Sequence, residues 1–342
     1  MTALVQSREG KKQLSATQYH YERRTLRDYS GCHFPSSILH PPFAILRGVQ
    51  FQKITLIGVG LLGGSLGLAV KRRRLAKYVE GYVRREATVV ECRKLKVLDR
   101  ATLDLHSAVA GADLVILCTP LSQMCPLVKQ MLPALKRGAI VTDVGSVKAS
   151  VVAELETLVA KAGAHFVGSH PMAGAEKTGV AAAREDLFEC AVCVVTPTRA
   201  TNRAASGKVE KFWKSVGARV LRLTPELHDK RVSRSSHLPH IIAAALATSV
   251  LNPKHPKTQS ALCANGFRDV TRVASGSPEM WRDIALANRR QLRVALDQFV
   301  RELQGVQALL RAGDDARLTR FFETAKRRRD QWSAGCVSRS PE

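Results

Sequence analysis

One stretch carries most of the information on the fold of this chain, Ile54-Thr55-Leu56-Ile57-Gly58-Val59-Gly60-Leu61-Leu62-Gly63. A short strand pattern runs directly into G-x-G-x-x-G, and a helical pattern begins within that motif. In this context Gly58 permits a tight turn, Gly60 lets the backbone approach a pyrophosphate, and Gly63 lets the helix pack closely on the strand. The N–H groups at the helix N-terminus also favour phosphate. The stretch predicts a dinucleotide-binding turn; a glycine-rich turn without a ligand is the alternative.

Strand and helix patterns alternate from Phe51 to Thr224. The apolar runs predict strands at Ile54–Ile57, Val79–Val83, Leu114–Cys118, Ala139–Val144, His165–Val167, Ala191–Thr196 and Ala218–Leu223. Helical patterns lie between them, for example at Leu62–Leu75, Gln123–Leu135, Lys148–Ala162 and Lys208–Val216. Strands that alternate with helices imply a parallel sheet covered on both faces. The predicted fold class is therefore α/β, a Rossmann-type doubly wound and mostly parallel sheet.

The rest of the chain carries helical patterns. Residues 225–251 form one such pattern, whose apolar end, Ile241–Leu251, predicts a helix buried on all sides. Apolar residues recur at helical spacing from Trp281 to Leu310. We expect an N-terminal extension at 1–50, a dinucleotide-binding domain at 51–224, an all-helical domain at 225–325 and a basic, polar tail at 326–342.

The composition is that of a globular protein with a large positive charge. The 342 residues are 45% hydrophobic, and no apolar run is long enough to span a bilayer. The eight cysteines are scattered, which is typical of reduced thiols in the cytoplasm, although residues 1–50 leave organellar targeting open. The formal net charge of +24 indicates a solvated basic surface rather than a nucleic-acid site, because no nucleic-acid-binding motif accompanies it.

The residues that come after the second predicted strand bear on the choice of dinucleotide. An acid there would hold the ribose hydroxyls of NAD, but Val83 occupies that place and Arg84 and Arg85 come next. A guanidinium can pair with the 2′-phosphate of NADP, so the pattern favours NADP while leaving NAD open. Two solvated arginines are the alternative. The predicted cofactor-binding residues are Gly58, Gly60, Leu61, Leu62, Gly63, Arg84, Arg85 and Thr119.

Four further motifs carry a family resemblance. They are Asp143-Val144-Gly145-Ser146-Val147-Lys148, Gly168-Ser169-His170-Pro171-Met172-Ala173-Gly174, Ser236-His237-Leu238-Pro239-His240, and Gly266-Phe267-Arg268-Asp269-Val270-Thr271-Arg272 followed by Met280-Trp281-Arg282-Asp283. In this order and spacing, about residues 51–320 resemble the prephenate/arogenate dehydrogenase family. The resemblance implies oxidative decarboxylation in tyrosine biosynthesis, with hydride transfer from ring C4 of the substrate to NAD(P)+. Together with the apolar helix, it also implies a homodimer built through the helical domain.

The resemblance implies two catalytic residues. His170 matches the histidine that hydrogen-bonds the 4-hydroxyl of the substrate ring, and Ser146 matches the serine that helps orient that histidine. The chemistry suits the residue type, because the hydroxyl must lose its proton as the carbonyl forms and a neutral imidazole can accept it. Taken alone, His170 could equally be a core histidine, but its position after a parallel strand favours a role at the ligand edge.

The substrate-binding residues are also carried over by resemblance. Arg272 matches the arginine that grips a substrate carboxylate, for which a bidentate guanidinium is well suited. His240 and Trp281 match residues of the substrate pocket. Arg268 departs from the family pattern, because relatives often have lysine there, and its role stays open. The sequence does not distinguish prephenate from arogenate.

Two groups of residues bear on metal binding. His237 and His240 are three residues apart on a predicted helix, but no third ligand accompanies them, so we predict no metal site. Cys190 and Cys193 form a C-x-x-C that we interpret as buried strand cysteines.

Two alternative functions stay open. One is another two-domain Rossmann dehydrogenase that acts on a hydroxy acid, which would require a catalytic lysine in the helical domain. The other is a basic nucleotide-sensing protein that binds nucleic acid, which the charge of +24 motivates.

Overall fold

An eight-stranded sheet organises the first part of the chain in the computed structural model, which describes residues 51–175 and 177–337. The predicted extension at 1–50, Glu176 and residues 338–342 lie outside the described residues. The strands are β1 (Phe51–Ile57), β2 (Ala76–Tyr82), β3 (Arg100–Thr102), β4 (Leu114–Leu117), β5 (Ile140–Asp143), β6 (His165–Pro171), β7 (Val192–Thr196) and β8 (Arg219–Arg222). Their order in the sheet is β3-β2-β1-β4-β5-β6-β7-β8.

The first six strands run parallel in the doubly wound order, which opens a ligand crevice at the carboxyl ends of β1 and β4. β7 runs antiparallel to β6, and β8 is parallel to β7. The predicted fold class, a mostly parallel Rossmann-type sheet followed by a helical part, is confirmed. Strand β3 was not predicted, because it has three residues and only Ala101 among them is apolar.

Helices cover both faces of this sheet. They are α1 (Leu61–Arg72), α2 (Glu86–Lys94), α3 (Leu105–Val109), α4 (Leu121–Met131), α5 (Ala149–Lys161) and α6 (Arg203–Ser215). Alternate residues of β4 enter different cores: Leu114 and Ile116 pack on one face, and Val115 and Leu117 on the other. Both faces of β4 are therefore apolar, which explains why this strand is a continuous apolar run in the sequence. Helix α3 was not predicted, since five residues are too few for a periodic pattern.

The second part of the chain is helical from Pro225 onward. Its helices are α7 (Pro225–Val232), α8 (Leu238–Val250), α9 (Lys257–Ala261), α10 (Asn265–Thr271), α11 (Pro278–Ala287), α12 (Arg289–Ala312) and α13 (Asp315–Val337). A five-residue π-helical segment, Ser233–His237, separates α7 from α8, where the sequence predicted one helix. Helix α13 continues past residue 325, so the described part of the predicted tail is helical.

Helix α8 differs from the prediction in its surroundings. The sequence predicted a helix buried on all sides, yet Ala243 is its one fully buried residue and Leu251, just after it, is 48% exposed. The prediction is wrong for the chain by itself. An apolar helix without a covering layer is typical of a surface that another chain buries. In the part of the chain that the structure describes, no helix combines the length and apolarity that crossing a bilayer requires.

Candidate active site

The predicted cofactor and catalytic residues meet at one edge of the sheet. Strands β1, β4, β5 and β6 are neighbours and parallel, so their carboxyl ends lie side by side. The glycine turn comes after β1, Thr119 after β4 and Ser146 after β5, and His170 is near the end of β6. With neighbouring strands about 4.8 Å apart, β1 and β6 are separated by about 14 Å at this edge. That span suits a cofactor and a substrate lying along the edge.

The glycine turn has the geometry that a dinucleotide requires. Gly58 has a φ of 90°, and a Cβ there would lie 2.8 Å from a methyl carbon of Thr119. A Cβ on Gly63 would lie 2.2 Å from the carbonyl oxygen of Gly58, so helix α1 packs directly on the turn. Nothing lies within 4 Å of a Cβ built on Gly60. The backbone is therefore tight where glycine must pack and open where a ligand would approach.

Two polar features face this turn. The Oγ1 atom of Thr119 is buried and has no hydrogen-bond partner among the described residues. The N-terminus of α1 has Gly60 as its N-cap and therefore no side chain that could occupy its free N–H groups. A bound pyrophosphate or amide would satisfy such groups. The residues present thus fit a dinucleotide.

Arg84 and Arg85 lie beside the same turn. Gly58 donates a backbone hydrogen bond to the carbonyl of Tyr82, the last residue of β2, and both arginines come shortly after it. Both are exposed, whereas Val83 is buried. The position where an acid would bind ribose hydroxyls therefore has a buried valine, and two exposed arginines follow it directly.

His170 belongs to a buried chain of three side chains. It is 7% exposed, and its Nδ1 atom is 2.8 Å from Nε2 of His228. Nδ1 of His228 is in turn 2.8 Å from a carboxylate oxygen of Asp229. The same carboxylate oxygen also accepts the backbone N–H of Lys148, and the other oxygen of Asp229 accepts the backbone N–H of Ala149, both at the start of α5. His170 is thus held from the helical part of the chain.

The surroundings of His170 favour the neutral imidazole. Burial holds its pKa well below the usual value, and the neighbouring His228 and Lys148 lower it further. Burial also lowers the pKa of His228, while the hydrogen bond to Asp229 opposes that effect. A neutral imidazole at the ligand edge can accept a proton. The arrangement is therefore suited to general base chemistry.

A buried ion pair supports the strand that carries His170. Lys148 and Asp143 are both fully buried, and the ammonium of Lys148 contacts the carboxylate of Asp143 and donates to the carbonyl of Ser169 at 2.9 Å. The hydroxyl of Ser169 donates to the carbonyl of Asp143 at 2.6 Å, and it accepts from the indole N–H of Trp213 at 3.0 Å. This network joins the carboxyl ends of β5 and β6 next to the histidine.

His237 and Asn288 extend the polar contacts into the helical part. The amide nitrogen of Asn288 donates to the carbonyl of Asp229 at 2.9 Å and lies 3.2 Å from Nδ1 of His237. His237 is buried, its Nε2 atom has no partner among the described residues, and burial lowers its pKa to about 4. The backbone of Ser146 lies near His237 without a hydrogen bond to Nε2, and it opposes the lowering of the pKa. Ser146 therefore lies between the sheet edge and the helices.

The predicted substrate residues on the helices fall into two groups. The rings of His240 and Trp281 are stacked, with centroids 3.5 Å apart and an interplanar angle of 25°. Arg268 and Arg272 line one cavity of about 550 Å³, together with Phe267. The two groups are close together in the fold. Gly276 ends the turn that carries Arg272, and its backbone packs so closely on the indole of Trp281 that a Cβ there would touch the indole nitrogen.

Sequence reasoning missed His228, Asp229 and Asn288. Each lies outside the quoted motifs, and their contacts join residues more than fifty positions apart, which no periodic pattern records. Among the described residues, no group of three histidines, cysteines or acids has the geometry to hold a metal ion. Cys193 is buried on β7 as predicted, but Cys190 is exposed and precedes the strand with a φ of 60°, so that half of the prediction is wrong.

These features together are those of a two-domain dehydrogenase. They are a doubly wound sheet with a dinucleotide-type turn, a buried neutral histidine at the same edge, and a helical part that contributes to the histidine's surroundings. The chain is an oxidoreductase that uses NAD or NADP.

Comparison with known families places the chain within that class. Residues 66–222 match the model of the prephenate dehydrogenase nucleotide-binding domain, and residues 224–324 match that of the prephenate dehydrogenase dimerization domain. The chain belongs to the prephenate dehydrogenase family, which acts in aromatic amino acid biosynthesis.

Individual relatives agree with this assignment. A prephenate dehydrogenase of Bacillus subtilis is 37% identical over 280 residues, which cover 81% of this chain and 75% of the relative. A cyclohexadienyl dehydrogenase of Zymomonas mobilis is 34% identical over a match that covers 82% of this chain and 95% of the relative. A crystal structure of Aquifex aeolicus prephenate dehydrogenase, in complex with hydroxyphenyl propionate and NAD+, superposes with a TM-score of 0.77 at 31% identity, covering 82% of this chain and 98% of that one.

Proposed function

We propose that this chain oxidatively decarboxylates prephenate or arogenate, with His170 as the general base and NAD(P)+ as the hydride acceptor. The observation that carries the proposal is the buried, neutral His170 at the edge of the sheet that also holds the glycine turn. A hydroxy acid dehydrogenase would need a catalytic lysine from the helical domain, whereas the side chain that helical-domain residues hold at this edge is the histidine His170. The family membership supports the same reaction.

Each step of the proposed reaction has a residue or cofactor that performs it. The ring 4-hydroxyl of the substrate donates a hydrogen bond to Nε2 of His170, which takes its proton as the carbonyl forms. Bound NAD(P)+ supplies the acceptor for the hydride that leaves C4. The ring carboxylate is then lost as CO2, and the ring becomes aromatic, which makes the later steps strongly downhill. Because burial lowers the pKa of His170, its imidazole is neutral and can accept the proton of the substrate hydroxyl.

The carboxylate clamp in this proposal is Arg272. It lines the same cavity as Arg268, so two positively charged residues border one space of about 550 Å³. Prephenate carries two carboxylates, one on the ring and one on the side chain, and bidentate guanidinium pairing suits both. The stacked pair of His240 and Trp281 is linked to the histidine cluster through His237, and we assign it the wall of the substrate pocket. Ser146, next to His237, is assigned a positioning role.

We further propose that NADP is the preferred cofactor. The support is the pair of exposed residues Arg84 and Arg85 next to the glycine turn, where Val83 leaves no acid for the ribose hydroxyls. A 2′-phosphate would pair with these arginines by charge-assisted hydrogen bonds. Gly58, Gly60, Leu61, Leu62, Gly63 and Thr119 are assigned to the pyrophosphate and nicotinamide half of the cofactor on the geometry of the turn.

The proposed assembly is a homodimer formed by the helical domain at 225–325. Its support is the apolar, half-exposed face of α8 together with exposed apolar side chains on α12, such as Leu303 and Leu310. The proposed sheet domain is 51–224, since the last strand ends at Arg222 and the helices begin at Pro225. Six free thiols among the described residues support the cytoplasm as the compartment.

A two-by-two assay tests the proposal. The purified protein is given prephenate or arogenate with NAD+ or NADP+, and reduced cofactor is followed by absorbance. We expect turnover with at least one of the two substrates, and faster turnover with NADP+ than with NAD+. Turnover of simple 3-hydroxy acids alone would replace this function by the hydroxy acid reaction. Absence of turnover together with tight, salt-sensitive DNA binding would favour the nucleic-acid-binding alternative.

A further inference from the structure

His228 stands between the proposed base and a carboxylate. Nδ1 of His170 and Nε2 of His228 are 2.8 Å apart, and Nδ1 of His228 is 2.8 Å from the carboxylate of Asp229. We propose that His228 and Asp229 form a proton relay behind His170, so that the proton taken from the substrate hydroxyl leads to a charge on His228 rather than on His170. This inference rests on the proposed function, because the relayed charge originates in proton removal from the substrate.

Asp229 sets the tautomers of both rings. Its two oxygens accept backbone N–H groups of Lys148 and Ala149 at the N-terminus of α5. A carboxylate only accepts hydrogen bonds, so Nδ1 of His228 must carry a hydrogen and donate it. Nε2 of His228 then has a lone pair and accepts from Nδ1–H of His170. The remaining nitrogen of His170, Nε2, keeps its lone pair and is the atom that can take a proton.

The relay step is balanced by two transfers. The substrate O–H bond breaks and an N–H bond forms at Nε2 of His170. The Nδ1–H bond of His170 breaks, and an N–H bond forms at Nε2 of His228. The positive charge therefore ends on His228, in contact with the carboxylate of Asp229. When CO2 leaves, its bonding electron pair passes through the ring to the 4-oxygen. That oxygen takes back the proton on Nε2 of His170 to give the phenol, and the proton on Nε2 of His228 returns to Nδ1 of His170.

The charged groups around the two rings favour this direction. Lys148 and His237 both act against a positive charge on His170, for which burial is the largest opposing effect. Burial is also the largest effect against a positive charge on His228, and Lys148 opposes it too, but there the hydrogen bond to Asp229 and the through-space effect of Asp143 favour the charge. The carboxylate is separated from His170 by a whole ring but touches His228 directly. The charge is thus more stable one ring further from the substrate.

Glutamine at position 228 separates positioning from proton transfer. In His228→Gln the side-chain carbonyl can still accept from Nδ1–H of His170, but an amide cannot take up the proton. We expect kcat to fall by on the order of 10-fold to 100-fold, with the substrate KM within about twofold of wild type. We also expect the rate in H2O–D2O mixtures to change from a two-proton dependence in wild type to a one-proton dependence in the variant. His165→Gln, at the half-buried start of β6, is the matched control and should match wild type in both measurements.

Retention of wild-type kcat and of the two-proton dependence by a folded His228→Gln protein would overturn the relay. If that variant does not fold, the wild-type protein supplies the test by nitrogen-15 NMR. We expect a coupling between Nδ1 of His170 and Nε2 of His228 across their hydrogen bond, and its absence would also overturn the relay. A different result would show that the proposed function is wrong. In that case the wild-type protein would turn over neither prephenate nor arogenate, although NMR would still detect the coupling between the two rings.

Discussion

The imidazole of His240 lies flat against the indole of Trp281, with ring centroids 3.5 Å apart. The two residues come from α8 and α11, and Trp281 also meets His237 edge to face at 6.2 Å. The stack fixes the first turn of α8 against α11 at the point where the helical domain approaches the sheet. Residues assigned to the substrate pocket from separate motifs are therefore held in one cluster.

Loss of the proposed base should slow the chemistry without preventing binding. We expect His170→Asn to lower kcat by on the order of 10²-fold to 10⁴-fold and to leave substrate affinity near that of wild type, because the amide cannot act as a base. Steady-state kinetics at saturating cofactor provide the measurement, and circular dichroism checks the fold. Unchanged turnover in this variant would remove His170 from the mechanism.

Arg272→Ala should affect binding more than turnover. The guanidinium is proposed to hold a carboxylate in both the ground state and the transition state, so its loss should raise KM by about 10-fold or more while kcat changes less. Arg272→Lys keeps the charge but not the bidentate geometry and should give an intermediate KM. If KM for the substrate is the same in wild type and Arg272→Ala, the carboxylate is bound elsewhere, and Arg268 becomes the next residue to test.

Two glycines of the cofactor turn should respond differently to the same change. Gly63→Ala places a Cβ 2.2 Å from the carbonyl of Gly58, so we expect loss of folded protein or a large fall in thermal stability. Gly60→Ala meets nothing within 4 Å and should fold normally, yet the methyl group would occupy the space of the pyrophosphate. Thermal melts and cofactor titrations by fluorescence compare the two. Normal cofactor affinity in Gly60→Ala would place the pyrophosphate elsewhere.

The arginines after β2 should select the cofactor. The double change Arg84→Ala and Arg85→Ala removes the charges proposed to bind the 2′-phosphate, so KM for NADP+ should rise by about 10-fold or more while KM for NAD+ stays within about twofold. Arg93→Ala, an exposed arginine in the last turn of α2, is the control for a simple loss of surface charge. An equal change for both cofactors would mean that Arg84 and Arg85 act only through general attraction.

Acid should destabilise the protein through His237. Its pKa is lowered by burial from 6.5 to about 4 in the folded chain, so between these values the unfolded chain binds a proton that the folded chain does not. The free energy of unfolding is therefore unaffected by His237 above pH 6.5. Between pH 6.5 and about 4 it falls by ~1.4 kcal/mol per pH unit, or roughly 3 kcal/mol in total from this group. Urea unfolding at several pH values measures the slope. His237→Gln should flatten the slope, and an unchanged slope would assign the effect to other groups.

Continuous segments of the chain were enough to predict the local elements and the chemistry that they carry. The run Ile54–Ile57 and the glycine turn after it were enough to predict a strand, a turn and a helix. Each of these elements depends on the conformations of adjacent residues and on an apolar pattern that repeats every two to four residues. The motifs around His170 and Arg272 also lie in continuous segments, so their residue types could be read directly. The short strand β3 was not predicted, because three residues with a polar residue at each end show no apolar pattern typical of a strand.

The contacts between distant segments became known only from the folded chain. Nothing in the sequence pairs His170 with His228, or Asp229 with the start of α5, because those contacts depend on how the helical domain meets the sheet edge. The exposure of α8 likewise depends on packing: a fully apolar helix signals burial, but whether its own chain or a second one covers it depends on the surfaces that remain after folding. Local patterns record what each segment prefers, whereas long-range contacts arise only once the elements are placed together.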